Sequence, residues 1–361
     1  MPVSPEARQI HDTAIVIDGH SDILLPVVNG VTSLATEWPE SERKRWQSIA
    51  DHQHVAHSLN YSYTLDSMAQ LTAPAGQYEL PLLEAGGVTA QCVAIYIPDE
   101  RLGDALAIAL EMTAALHRTI DEHGDRCLLA TSTADIRRAK AEGKVAYILT
   151  MEGAEPFQNN LELIEIFARL GLKMTTLTHS RRNLLADGTQ LGRSTGGLTN
   201  AGIEAVERLG KAGIVVDLAH IADESFWDII ERVDGPLLLS HTSLLQVNLD
   251  YRAAFDHVFP TYGMTKAQAI AEKGGLIGVV FWGQPDSATL VDELDAIIAQ
   301  TGPDHAGLGT DFYGFEQAPS DLSHIGELPA LTARMLERGY DEPTIHKILG
   351  GNYLRIFDAV W

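Results

Sequence analysis

The chain has 361 residues, with 49 Asp and Glu against 26 Lys and Arg, giving a formal net charge of −23 at pH 7. That acidity argues against nucleic acid or an anionic membrane surface as a partner, and no apolar run approaches the ~18 residues of a membrane span. A hydrophobic share of 45% is ordinary for a globular protein, and the length suits one large domain over residues 1–361.

The N-terminal stretch MPVSPEARQIHDTAIVIDGH holds no apolar segment of signal-peptide length, so the expected compartment is the cytoplasm. The two cysteines, Cys92 and Cys127, do not make a disulfide framework. Cys92 lies within an apolar run and reads as a buried free thiol.

Eight apolar runs of strand length follow one another: 14–22, 88–97, 145–153, 173–179, 213–220, 236–242, 275–281 and 305–312. Short apolar runs of this kind are strands buried on both faces. Between them lie helix-patterned segments with Ser or Thr at the start and Gly at the end, as in STADIRRAKAEG (132–143) and TNAGIEAVERLGKAG (199–213). Strand and helix in alternation predict an α/β fold, a (β/α)8 TIM barrel. Residues 24–87 are too long for a single connection. They read as an insertion between strands 1 and 2 over the barrel mouth, with a helix at 38–54. The tail 341–361 reads as closing helices.

Most of the runs end in a residue able to bind a metal or move a proton: His20, Asp22, Glu152, His179, His220, His241 and Asp311. In a barrel of this kind the chemistry sits at the carboxyl ends of the strands. His20 and Asp22, two apart, face the same way in a strand. Imidazole and carboxylate are suited to zinc. A carboxylate at Glu152 can bridge two metals about 3.5–4 Å apart. One metal would then take His20, Asp22 and Glu152, and the other Glu152, His220 and His241. Asp311 is placed to accept a proton from a metal-held water. Singly, each has a plainer reading: a turn histidine for His20, a helix-capping carboxylate for Glu152, an Asx-turn or N-cap residue for Asp311. Jointly, the plain readings require several coincidences at one edge of the barrel. The remaining histidines, His11 and His117 among them, read as surface or structural.

The segments IDGHSD, TMEGAE, LTHSRRNLLADG, VVDLAH, LLSHTS, GLGTDF and GGNYLRIF together resemble the membrane dipeptidase (renal dipeptidase) family of metallopeptidases, within the amidohydrolase-like barrels. The resemblance runs from about residue 10 to the end, and its soluble bacterial members are the better comparison. It implies two zinc ions held by His20, Asp22, a bridging Glu152, His220 and His241. It also implies that His179 and Arg252 contact the substrate and that Asp311 works with the bridging water. The expected activity is zinc-dependent hydrolysis of free dipeptides, L-Xaa-D-Xaa pairs included, by a metal-bridging hydroxide. Arg252, in NLDYRAAF, would grip the terminal carboxylate through a two-pronged hydrogen bond. In the loop after His179 the chain carries Arg181 and Arg182 where some members have small or apolar residues, and these are expected to line or approach the side-chain pockets. Two alternatives stay open. One is a related binuclear-zinc amidohydrolase acting on a lactone, cyclic amide or N-acyl amino acid, and the other is a non-catalytic ligand-binding barrel. The sequence leaves open whether the chain forms a homodimer.

Overall fold

The computed structural model describes residues 3–37, 39–41, 76–157, 160–189, 196–245, 257–315 and 318–361. Among the described residues nine parallel strands form the sheet: β1 (Ile17–Asp18), β2 (Ala90–Tyr96), β3 (Cys127–Leu129), β4 (Val145–Glu152), β5 (Leu172–Thr176), β6 (Val215–Asp217), β7 (Leu238–Thr242), β8 (Leu276–Val279) and β9 (Ala306–Leu308). Their order is β1-β2-β4-β5-β6-β7-β8-β9, with β3 paired to the start of β4. Each of the eight predicted runs carries one strand of the main path. The short β3 was not foreseen, because three residues with no alternation leave no strand signal.

The two ends of the sheet meet. The Gly19 amide donates to Leu308 O at 2.9 Å, the Asp311 amide to His20 O at 3.1 Å and the Asp22 amide to Phe312 O at 3.1 Å. Ser21 and Phe312 form a parallel bridge. The sheet therefore closes as the predicted (β/α)8 barrel, with helices between successive strands. Their boundaries follow ordinary capping chemistry. Ser132 and Asp135 form a reciprocal capping box on helix Thr133–Glu142, which ends at Gly143 in the left-handed conformation. Thr265 and Gln268 do the same on Lys266–Glu272, and Asp286 caps Ser287–Thr301 with two backbone amides.

Side-chain alternation sorts the strands into two cores. Ala90, Cys92, Ala146, Ile148, Met174, Val215, Leu238 and Leu276 pack together inside the barrel, joined by Tyr353 and Phe357 of the C-terminal helix Asn352–Val360. Val93, Ile95, Tyr147, Leu149, Leu237 and Leu239 belong to the larger core outside it, shared with the surrounding helices. Both cysteines are buried and free. Tyr353 rises into the barrel floor, where its hydroxyl donates to Leu308 O at 2.8 Å. A Cβ on Gly19 would lie 1.9 Å from the Tyr353 hydroxyl oxygen, so glycine suits that position.

The predicted insertion is described only at its two ends. They are tied together: the Leu80 amide donates to Leu34 O at 2.6 Å and Thr32 Oγ1 donates to Glu79 Oε1 at 2.9 Å. The helix expected at 38–54 lies almost wholly outside the described residues, as do Tyr61 and Tyr63. Among the described residues no helix is long and apolar enough to cross a membrane.

Candidate metal centre

Alternation along β4 decides the position of Glu152. Ala146 and Ile148 face the barrel interior, so with period two Thr150 and Glu152 face it as well. Glu152 is the last residue of the strand and is 3% exposed. Its Oε1 lies 3.0 Å from His220 Nε2, 3.6 Å from His241 Nε2 and 3.6 Å from His20 Nε2. One carboxylate oxygen thus faces three imidazole nitrogens from three other strand ends.

Each histidine arrives by a different device. His241 is on β7, where alternation from Leu238 would turn it outward. The β7–β8 register shifts between Leu239 and Thr242, and such an irregularity re-aims a side chain. His241 consequently faces Glu152. Its Nδ1 is 2.9 Å from Ser240 Oγ, which leaves Nε2 for the centre. His220 lies beyond the end of β6 and takes a left-handed backbone with φ 60°. Its carbonyl accepts from the Thr189 amide at 3.0 Å and from Thr178 Oγ1 at 3.3 Å, which locks that turn. His20 follows the β1 seam, and its Nε2 is 3.8 Å from Asp22 Oδ2 and 3.6 Å from Asp311 Oδ1. Asp311 also has a positive φ, 63°. Strained backbone of this kind concentrates at functional sites.

Three groups of possible donors lie close enough to hold cations: His20, Glu152 and His241; Glu152, His179 and His220; His20, Asp22 and Asp311. All seven strand-end residues named from the sequence therefore meet in one cluster, linked through Glu152 and His20. His179 packs its ring 4.4 Å from that of His220 and 4.9 Å from that of Tyr96. Arg252 lies outside the described residues.

The electrostatics fit a cation site. Burial works against a charge on Glu152, but His20, His179 and His220 outweigh it and hold the carboxyl well below its usual range. Asp22 is pushed up by burial and by Glu152. Asp311 is pushed well above the usual carboxylate range by burial, with His20 opposing and Asp22 reinforcing. Three carboxylates this close cannot all stay ionised without added positive charge. The nitrogens carry the same message. His220 Nε2 and His241 Nε2 are 2.8 Å apart, and His20 Nε2 is buried with no hydrogen-bond partner. Burial lowers His241 well below its ordinary value, and burial together with the neighbouring His220 lowers His179 to about 3, whereas at His20 burial is outweighed by the carboxylates of Glu152, Asp22 and Asp311, which raise it. Neutral imidazole is the form that binds a metal. The donor set thus fits divalent metal ions, with nitrogen and oxygen donors of the kind zinc accepts.

Three residues at this edge were not singled out from the sequence. Asp18 accepts from the Thr310 amide at 2.8 Å, from Thr310 Oγ1 at 2.6 Å and from the Tyr78 hydroxyl at 3.0 Å, tying the approach to His20 to the approach to Asp311. Asp217 accepts from the Ala219 amide at 3.1 Å and the Ser240 amide at 2.9 Å, tying the His220 turn to β7. Both sit inside the segments IDGH and VVDLAH, and an aspartate within an apolar run was the available signal. Tyr96 ends β2 beside Glu152 in register, and its polar hydroxyl at a strand end was the corresponding cue. Of the two arginines after His179, Arg182 is exposed and paired with Asp187, whereas Arg181 is largely covered and is paired with Glu155, Asp99 and Ile97 O. His11, read as surface or structural, is structural: it is fully buried between Thr332 and Gly86 O.

A family model described as membrane dipeptidase (peptidase family M19) matches residues 4–361. Dipeptidase verJ of Clonostachys rogersoniana is 29% identical over 264 residues, which cover 71% of this chain and 66% of that protein. Dipeptidase tcpJ of Claviceps purpurea (strain 20.1) is 27% identical over 319 residues, covering 83% of this chain and 73% of that protein. Among solved structures, dipeptidase AC, a metallopeptidase of family M19, is 26% identical with a TM-score of 0.74, over 97% of this chain and 99% of that one. A metallopeptidase from Rhodobacter sphaeroides, liganded with a phosphinate mimic of the dipeptide L-Ala-D-Ala, is 25% identical with a TM-score of 0.74, over 97% and 100% of the two chains.

Proposed function

We propose that this chain, which belongs to the membrane dipeptidase family (peptidase family M19), is a two-zinc dipeptidase that hydrolyses the peptide bond of free dipeptides. The observation that carries the reading is the convergence of three imidazoles on one buried carboxylate oxygen, that of Glu152. Glu152 would be shared between the two ions, His20 and Asp22 serving one and His220 and His241 the other. A pair of zinc ions, when bound, supplies an acidified water as nucleophile and polarises the scissile carbonyl.

The remaining work falls to side chains. Glu152 is held ionised and so offers both oxygens as donors. Asp311, beside His20 and 18% exposed at its side chain, takes the proton of the attacking water and returns it to the leaving amine. His179, packed between the rings of Tyr96 and His220, is a neutral donor for the oxygen that gains charge at the carbonyl. Arg252 grips the terminal carboxylate. An anchor on the terminal carboxylate restricts the enzyme to dipeptides when that carboxylate lies one residue from the scissile bond. The Rhodobacter sphaeroides protein with its L-Ala-D-Ala mimic makes an L,D-dipeptide the first substrate to test.

The test is a panel of dipeptides varied in side chain and in C-terminal chirality, run with zinc present and with bound metal measured on the same preparation. Cleavage of free dipeptides by a preparation holding about two zinc ions per chain is the expected result. A preparation that binds metal yet cleaves only lactones, cyclic amides or N-acyl amino acids would overturn the dipeptidase reading.

A further inference from the structure

We propose that Arg181 is a positioning residue for His179, holding its imidazole in place by tying three successive βα loops together. The inference rests on the role given to His179 above. The strand ladder orders the site only as far as its last paired residues. Tyr96 is in register with Glu152, and Glu152 with Thr176. His179 lies three residues past Thr176, beyond that ladder. Its ring lies 4.9 Å from that of Tyr96 and 4.4 Å from that of His220, tilted to both. Ring contacts of this kind set a distance but not a position along the chain, so the loop that carries His179 must be fixed by other means.

Arg181 supplies the fixing. Its side chain is 13% exposed. Nε donates to Glu155 Oε1 at 3.1 Å, Nη2 donates to Ile97 O at 2.9 Å, and Nη1 donates to Asp99. Each anchor adjoins a residue of the site: Ile97 follows Tyr96, Glu155 is the third residue after Glu152, and Arg181 is the second after His179. One planar group thereby sets the relative positions of the ends of β2, β4 and β5. Asn183 reinforces it, donating to Glu155 Oε1 at 3.2 Å and to Leu177 O at 2.6 Å. A guanidinium suits this task because its donors lie in a fixed fork, whereas a lysine ammonium is a single point that cannot span three loops. The guanidinium also separates two carboxylates, Asp99 and Glu155, that would otherwise repel. All three of its nitrogens are engaged within the protein, so it is not available to hold a substrate carboxylate, the task assigned to Arg252.

The test is a double-mutant cycle on the zinc-loaded enzyme with a free dipeptide as substrate, comparing wild type, His179→Ala, Arg181→Met and the double variant, with Arg181→Lys alongside. Arg181→Met should lower kcat by ~10- to 100-fold, the cost of a displaced catalytic contact. Its KM should stay within about threefold and its bound metal should be unchanged. In the His179→Ala background the same substitution should cost less than about twofold more, because the two residues act as a unit. Arg181→Lys should recover only a minor part of the loss. A crystal structure of Arg181→Met should show the His179 ring displaced from its 4.9 Å contact with Tyr96. Fully additive losses in the double variant, or an undisplaced ring, would overturn the proposal. A loss confined to KM for free dipeptides and absent for dipeptide amides would also overturn it, by making Arg181 a carboxylate contact. Failure of the wild type to cleave any dipeptide counts against the proposed function, while the crystallographic comparison still decides whether the brace positions His179.

Discussion

Replacing Asp311 by asparagine separates proton transfer from metal binding, because the local geometry favours a clean substitution. Asp311 sits at φ 63°, a region in which Asp and Asn are both enriched. Its backbone amide donates to His20 O at 3.1 Å and its carbonyl accepts from the Gly314 amide at 2.9 Å, and neither bond involves the side chain. Asn therefore keeps the turn, while Ala would add roughly 1–2 kcal/mol of left-handed strain. Electrostatically the change relieves the cluster. Burial, opposed by His20 and reinforced by Asp22 and Glu152, already makes a charge on Asp311 costly, so a neutral amide should not destabilise the fold. At about 2.1 cal/mol/K per residue, a chain of 361 residues has an unfolding entropy near 0.8 kcal/mol/K, so even 1 kcal/mol moves Tm by only about 1 °C. Loss of a general acid–base group costs about 10²- to 10⁴-fold, or roughly 2.7–5.4 kcal/mol of barrier. The expected outcome is thus a kcat lower by at least about a hundredfold, with Tm and bound metal unchanged. Turnover assays, calorimetry and elemental analysis on one preparation read all three. Lost metal would make Asp311 a ligand, and turnover within about threefold of wild type would leave it no part in proton transfer.

The barrel was legible because its strands are buried on both faces, so each run is apolar without needing alternation, and because six of its eight runs end in His, Asp or Glu. Convergence of those ends follows from the fold, which gathers all carboxyl termini on one rim. What escaped the sequence was geometry that breaks periodicity. His241 faces Glu152 because of a register shift in β7, and simple alternation from Leu238 would have turned it outward. His220 reaches the centre through a left-handed turn past the last paired residue of β6, not as the end of a strand. Asp18 and Asp217 were hidden for another reason: inside apolar runs they read as part of a motif, and only the hydrogen bonds across the seam reveal them as ties between neighbouring loops. Arg181 illustrates the same limit. Its place in the loop after His179 suggested a residue that lines or approaches the side-chain pockets, and its partners, Asp99 and Glu155, come from loops 82 and 26 residues away in the chain, a coincidence that spacing alone does not disclose.

Arg252→Met should lower kcat/KM for free dipeptides by roughly tenfold to a hundredfold, the worth of a charge-assisted hydrogen bond of about 1.5–3 kcal/mol. Dipeptide amides should already be poor substrates and should lose little more, and equal cleavage of amides and free dipeptides by the wild type would remove the carboxylate anchor. Chelation should abolish activity and lower Tm by about 7 °C, since two ions each present at ~100 times Kd contribute about 5 kcal/mol together. An unchanged melting curve on full metal removal would contradict a metal centre of this size. The last prediction concerns acid stability and His11. Gly86 O can only accept, so His11 Nε2, 2.7 Å away, must carry the proton, and Nδ1 accepts from Thr332 Oγ1 at 2.8 Å. That neutral tautomer satisfies both nitrogens, and burial lowers the folded-state value to about 4 from 6.5. As pH falls below 6.5 the unfolded chain takes up this proton first, so stability is lost between pH 6.5 and 4, by about 3 kcal/mol in all, and no further below that window. Urea unfolding of wild type and His11→Gln across that range should show a smaller loss in the variant by about that amount. Parallel pH profiles for the two proteins would mean that His11 already accepts a proton in the folded state and that its two buried hydrogen bonds do not select the neutral form.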